Sequence, residues 1–273
     1  MLWFSIKDEN QAFVIANRSS LYMDKLSVVI LTFNEERNIR RCIESVLPVA
    51  DEIVVVDSLS TDNTEEICNR FNVRFVKHAF EGYKEQKNYA TRLASHEIVL
   101  AVDADEALSE ELVASVREVK QNRQYDGYVM NRLTNYCGRW IRHSGWYPDT
   151  KLRLVDRRKG KWGGTNPHDR FEMDPGGTIS RLKGDLYHYS YYSFDEHRAQ
   201  IIRFADISAN ALYTKGVKSG VAKIIYKPIA RFFRSYLIKM GFLDGREGWT
   251  IARMTAWASY LRYRKLYQLQ QKS

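Results

Sequence analysis

Along this chain, unbroken apolar runs alternate with stretches whose apolar residues recur every three or four positions. "LSVVILTF" (26–33) is the first run, rich in β-branched residues and suited to a strand covered on both faces. "NEERNIRRCIESVLP" follows with helical spacing. Ile39, Cys42, Ile43 and Val46 share one face, Asn34 is a candidate cap, and Pro48 is a stop. "DEIVVVDSLS" predicts a second strand, and "TDNTEEICNRF" a second helix with Asp62 as cap and Glu65 three positions on. "VRFVKHAF" predicts a third strand, "YKEQKNYATRLA" a third helix, "HEIVLAVDAD" a fourth strand and "SEELVASVREVKQ" a further helix.

Strand and helix thus alternate four times between residues 26 and 121. Such crossovers require a mostly parallel sheet flanked by helices, and ligands of these sheets sit at the carboxyl ends of the strands. Asn34 and Glu35, Asp57, and Asp103 with Asp105 all fall just after strands one, two and four. Each has a plainer reading, Asn34 as a cap and Asp57 as a turn former. Their shared edge favours a site.

After Tyr125 the texture changes to aromatics and arginines, with strand-like runs at Tyr128–Arg132 and Lys151–Asp156. A rich set of rings beside cations suits a nucleic acid or a sugar. From Ser193 helical spacing takes over, in "HRAQIIRFADISANALYTKG", "VAKIIYKPIARFFRSYLIKMG", with a break or kink expected near Pro228, and "TIARMTAWASYLRYRKLYQLQQ". The expected organisation is an N-terminal extension (1–25), a catalytic domain (26–192) with a nucleotide-binding half (26–122) and an acceptor half (123–192), and a basic helical region (193–273).

Charge sharpens the last of these. The net charge is +9, and between Lys215 and Lys265 twelve Lys or Arg face only Asp244 and Glu247. In "KIIYKPIARFFRSYLIKMGF", Ile225, Ile229, Phe232, Phe233 and Tyr236 form an apolar stripe flanked by cations. The stripe either packs against the catalytic domain or attaches to an anionic membrane face; nucleic acid is a third reading. The three cysteines show no metal or redox spacing, which suits a reducing compartment. No run is long and apolar enough to span a membrane, and no signal peptide is read at the start.

Two carboxylates two residues apart beyond a strand can share one divalent cation, directly or through water, and so neutralise a diphosphate. No Walker pattern occurs, and "TFNEERN" stands where a dinucleotide fold needs G-x-G-x-x-G, which argues against NAD. "SVVILTFNEERNIRRCIESV", "EIVVVDSLSTDNTEEI" and "VLAVDADE" together resemble the inverting GT-A glycosyltransferases of family 2. "WYPDTKLRLV", "NPHDRF", "LYHYSYYSFDEH" and "GFLDGREGW" resemble its lipopolysaccharide-core subgroup, whose members transfer glucose.

The resemblance implies a GT-A fold, an α/β architecture with a helical C-terminal extension. It also implies a UDP-glucose donor, a glycan or glycolipid acceptor, and Mg²⁺ or Mn²⁺. By the same resemblance Thr32, Asn34, Glu35, Asp57, Lys84, Lys87 and Asp103 would bind the nucleotide sugar. Asp105 would be the main metal ligand, with Asp103 and His188 as further ligands. His188 has a plainer reading in an aromatic cluster. Asp169 would be the base, in a His168–Asp169 pair where the subgroup has His-Glu, and Asp149 is its rival. Trp146, Tyr147, Trp162 and His168 would meet the acceptor, although core packing explains any one of the rings. The expected location is the cytoplasm, with the basic helices reaching the inner face of the membrane. A nucleotidyltransferase would normally show a Gly- and Lys-rich loop after strand one. A basic nucleic-acid module would leave the acidic edge without a role, so no nucleic acid is expected.

Overall fold

The computed structural model describes residues 23–165 and 168–271, and the side chains of Thr165 and His168 are outside that description. The expected extension therefore lies almost wholly outside the described residues. By packing, the chain divides into two compact units. One holds the chain up to Asn131 together with Thr150–Tyr187; the other holds Arg132–Asp149 and the chain from His188 onward.

In the first unit, β1 (Leu26–Thr32), β2 (Glu52–Asp57), β3 (Arg74–Lys77) and β4 (Ile98–Asp103) pair in parallel, with β1 between β2 and β4. The crossovers are α1 (Ile39–Val46), α2 (Thr64–Cys68) and α3 (Tyr83–Leu93). Alternation within the strands explains the unbroken apolar runs. Val28 and Ile30 join one core cluster with Ile39 and Ile43 of α1, whereas Val29 joins a second with Ala90 of α3. Each fully buried side chain of this kind contributes about 1.5–3 kcal/mol. A short β5 (Glu106–Leu108), which the sequence reading passed over, precedes α4 (Glu110–Gln121), whose cap Ser109 accepts from Leu112 N–H at 3.2 Å.

Beyond β4 the sheet becomes mixed. β6 (Gly127–Tyr136), β8 (Asp149–Asp156) and β11 (Ile179–Tyr191) extend it, β8 antiparallel to β4, and β7 (Arg139–Ile141) pairs with β6. β9 (Gly160–Thr165) and β10 (His168–Met173) form a separate antiparallel hairpin. Gly184 in β11 has φ +86°, and a Cβ there would lie 2.3 Å from the Leu112 nitrogen, so only glycine allows β11 so close to α4.

The second unit contains α5 (Phe194–Thr214), α6 (Val221–Phe233) and α7 (Gly245–Gln271), with both α5 and α6 packed on α7. The break expected near Pro228 is not there. The helix continues through Pro228 and widens into a π turn only at Arg234–Ile238. Pro228, the eighth residue of the helix, lacks the N–H that would reach the Ile224 carbonyl, and the helix continues despite that one missing bond. The fold is the expected one: a largely parallel, partly mixed sheet flanked by helices, with a helical C-terminal extension.

Candidate active site

Register decides what meets at the sheet edge. Thr32 lies abreast of Asp57, and Leu31 abreast of Asp103, so β1, β2 and β4 end together. Thr32 is buried and its Oγ1 has no hydrogen-bond partner among the described residues. Asn34 is not a helix cap. Its φ is +54°, α1 begins five residues later after Asn38, and its Oδ1 accepts from Thr61 N–H at 2.8 Å. The chain turns sharply there instead, which Asn tolerates better than most residues. Glu35 N–H donates to Thr64 Oγ1 at 2.9 Å, tying the loop after β1 to the loop after β2. Asp57 is fully buried and accepts from both the N–H and the hydroxyl of Ser60, so the turn-forming reading also holds.

At the end of β4 the acidic turn is clamped by cations that come from distant segments. Asp103 Oδ2 accepts from Arg153 Nη2 at 2.8 Å, and Asp103 Oδ1 lies 3.5 Å from Lys87 Nζ. Arg153 Nη2 also reaches Glu106 Oε1 at 3.1 Å, and Lys87 Nζ reaches Asp169 Oδ2 at 2.8 Å. Charges therefore alternate from Glu106 through Arg153, Asp103 and Lys87 to Asp169. Burial works against the charge on Arg153, yet Asp103 and Glu106 hold it protonated well above the ordinary arginine range. Burial, reinforced by Glu106, Asp105 and Asp103, pushes the Cys42 thiol far up and leaves it inert beneath this turn.

Neither Arg153 nor Glu106 was singled out in the sequence. The usable signal was a lone arginine between the apolar residues of "KLRLV", which a buried strand tolerates only opposite carboxylates. Lys87 and Lys84 part company. Lys84 is half-buried beside Glu85 at 3.4 Å, while Lys87 is buried between two carboxylates. Trp162, expected among the acceptor-stacking rings, is instead core. It is 4% exposed, donates to Thr91 Oγ1 at 3.2 Å, packs edge-on against Phe171, and has the Lys87 ammonium 4.9 Å over its ring. The His168 side chain lies outside the described residues.

Asp149, Trp146 and His188 come together in the second unit. They line a cavity of about 430 Å³ with Arg132, Thr134 and Gln200. Arg132 holds Asp149 at 2.8 Å through Nη2, and His188 Nδ1 lies 3.4 Å from Thr134 Oγ1. Tyr147 lies under the Arg142 guanidinium at 5.6 Å. Behind the cavity, Tyr136 packs on Trp146, Tyr191 and His197.

Burial lowers the His197 pKa from 6.5 to about 4, and Tyr136 Oη lies 2.9 Å from its Nδ1. The unfolded chain therefore binds a proton near pH 6.5 that the folded chain refuses until about pH 4. Stability from this group is complete above pH 6.5 and falls by about 3 kcal/mol as pH drops to 4. Urea midpoints measured at pH 7 and pH 4.5 should show a smaller acid loss in His197→Phe than in the wild type.

Among the described residues, no three His, Cys, Asp or Glu side chains gather into a metal cage. That arrangement is not required at a diphosphate, where Mg²⁺ keeps water and uses one or two carboxylates plus the phosphates. The donor set at the β4 turn fits such an ion: hard carboxylate oxygens, with Asp103 turned toward Lys87 and Arg153 and Asp105 half-buried on the same turn.

Comparison with known proteins then decides the class. The model of the family described as Glycosyl transferase family 2 matches residues 27–174. The chain belongs to that family. The transferase is 30% identical to an uncharacterized glycosyltransferase of Rickettsia bellii, over 92% of this chain and 89% of the relative. It is 27% identical to the lipopolysaccharide core biosynthesis glycosyltransferase LpsC of Rhizobium meliloti, over 89% and 92% respectively. A mannosyltransferase of Pyrobaculum calidifontis, solved with GDP-Man and Mn²⁺, superposes with a TM-score of 0.47 at 19% identity, covering 92% of this chain and 81% of that one. By its membership of family 2, and not by that superposition, the transferase is a GT-A enzyme acting on a nucleotide-sugar donor with inversion, and the nucleotidyltransferase reading falls away.

Proposed function

We propose that this transferase moves glucose from UDP-glucose to a hydroxyl of a lipopolysaccharide-core glycan or a related glycolipid, with Mg²⁺ or Mn²⁺ at the donor diphosphate. The observation that carries the donor site is the register that brings Thr32, Asp57 and Asp103 abreast at one sheet edge. The likeness to LpsC supports the acceptor class.

In this reading Thr32, Asn34, Glu35 and Asp57 shape the nucleotide side of the edge, Asp57 by holding the loop that ends at Ser60. Asp105 would hold the cation, with Asp103 beside it; His188 belongs to the other unit and lines the cavity there. Bound there, the cation supplies positive charge to a departing diphosphate. Asp169 takes the proton of the acceptor hydroxyl as its oxygen attacks the anomeric carbon. The bond to the diphosphate oxygen breaks on the opposite face, and its electron pair leaves with UDP. An α-linked donor then gives a β-glycoside.

Lys87 fixes the orientation of Asp169 through the contact at 2.8 Å. A second reading makes Asp149 the base. It is favoured by the cavity that Asp149 lines with Trp146 and polar groups, where an acceptor sugar could stack. Arg132 holds Asp149 as Lys87 holds Asp169, each at 2.8 Å.

Calorimetric titration tests the donor assignment. UDP should bind in the presence of Mn²⁺ and at least about tenfold more weakly in EDTA, since the diphosphate then meets the carboxylates unscreened. Binding of another nucleoside diphosphate in preference to UDP would overturn the donor and leave the family intact. An absence of binding by any nucleoside diphosphate would remove the donor site itself.

A further inference from the structure

The apolar stripe of the basic region does not do one thing. Phe232 and Tyr236 turn inward, each packing a ring on Trp249 of α7 at 5.1 and 5.2 Å. The rest of the stripe is left in water. Val221, Ile225, Ile229 and Phe233 are each at least half exposed, and α6 has no buried residue along its whole length. Leu237, Ile238, Met240, Phe242 and Leu243, which follow toward α7, are exposed to a similar degree, Ile238 reaching 73%. At about 100° per residue, the exposed apolar positions of α6 occupy roughly one side of the helix. Lys223, Lys227, Arg231 and Arg234 lie on the rest of the helix surface, outside that side but within one helix diameter of it, Lys223 and Lys227 half-buried. None of these four pairs with a carboxylate among the described residues, and no acidic residue occurs from Val217 to Leu243.

We infer that α6 and the turn following it form a docking surface for an anionic lipid bilayer, on which the helix lies in the interfacial plane. The argument is one of matched chemistry. Half-exposed aliphatic side chains need an apolar phase, and a segment from Val217 to Leu243 that carries cations and no acid favours one whose surface is anionic; a bilayer interface offers both within a helix diameter. Lys and Arg stems are long enough to rest on the apolar layer while their charges reach the headgroups. A second copy of this chain would cover the aliphatic face but would bring together two basic segments, neither of which has an acid between Val217 and Leu243. A nucleic acid would answer the cations and leave Val221, Ile225 and Ile229 in water, since stacking on bases needs rings. No helix of the described residues is long and apolar enough to cross a membrane, so the contact is with one face. The inference concerns a surface separate from the residues assigned to the donor, and stands whatever the acceptor is.

Flotation of the full chain with vesicles tests it. At low salt the protein should float with phosphatidylcholine vesicles containing phosphatidylglycerol, and bind neutral phosphatidylcholine vesicles at least about tenfold less. The bound fraction should fall as salt rises. Replacing Lys223, Lys227, Arg231 and Arg234 together by Gln should abolish the preference for anionic lipid. Ile225→Glu with Ile229→Glu should abolish flotation altogether, with an unchanged melting temperature because both side chains already face solvent. UDP affinity, read on the same preparations, should stay at the wild-type value in all variants; this control separates loss of the surface from loss of the donor site. Wild-type protein that ignores anionic vesicles at low salt overturns the inference. So does binding that survives the Ile225→Glu and Ile229→Glu changes. A concentration-dependent dimer in sedimentation that those two changes dissociate, without vesicle binding, would transfer the surface to self-association.

Discussion

Asparagine in place of Asp105 is expected to lower sugar transfer by about 10³-fold, equivalent to about 4 kcal/mol of transition-state stabilisation. The substitution keeps the shape of the side chain and removes its charge. Asp105 lies on the turn between β4 and β5, whose backbone is held from elsewhere: Ala104 N–H donates to Leu31 O at 2.9 Å, and Asp103 N–H to Glu106 Oε2 at 2.9 Å. The turn should therefore survive, and the melting temperature should stay within a few degrees of the wild type, as is usual for changes outside a buried network. The rate is measured as UDP release in saturating Mn²⁺, with Mg²⁺ in parallel. Transfer at the wild-type rate with either ion would show that Asp105 is not the ligand. Collapse of the melting temperature would instead mark it as a structural member of the charge row.

The second large effect concerns the base. Asp169→Asn should lower turnover by about 10²-fold or more, the usual scale for loss of general-base help, while UDP affinity is retained. Asp149→Asn should do less. The structure makes the first change more complicated than a lost base, because Lys87 would lose one of its two carboxylates while still buried. An ammonium left short of a partner in a buried site is strongly destabilising. Comparing Asp169→Asn with Lys87→Met separates the two contributions. If Asp169 acts mainly as the partner of Lys87, both variants lose stability and Lys87→Met loses activity as severely. If Asp169 is the base, its asparagine variant falls in turnover at substrate saturation even where the protein remains folded. A larger loss in Asp149→Asn would move the base to the cavity of the second unit.

How far each of these residues could be seen in advance depends on the range of the interaction that defines it. Asp57, Asp103 and Asp105 were legible because strand ends are local features and parallel crossovers place them at one edge. Asn34 reads equally as a cap or as part of the edge, for an equally local reason. Asn suits both an N-cap and a left-handed turn, and only the tie to Thr61, 27 residues away, selects the turn. Lys87 was found on the strength of the resemblance, but its partners were not, since Asp169 is 82 residues further on. Trp162 could stack on a sugar or fill a core, and composition does not distinguish the two. Its burial beneath Lys87 does.

The repeating alternation of apolar runs and helical spacing was sufficient by itself to determine the parallel α/β sheet, the order of its first elements and the edge at which its strands end together. These follow from the period of the side chains and the handedness of crossovers, both written into short stretches of chain. Only the tertiary structure decided that Arg153 and Glu106 belong to the acidic turn. It alone showed that residues 132–149 share a unit with the C-terminal helices, and that the stripe of α6 divides between Trp249 and open solvent. Each of those depends on which distant segment lies opposite a given side chain. An amphipathic helix carries the same sequence pattern whether its apolar face meets protein or is left open, and only the packing of α6 on α7 distinguishes one face from the other.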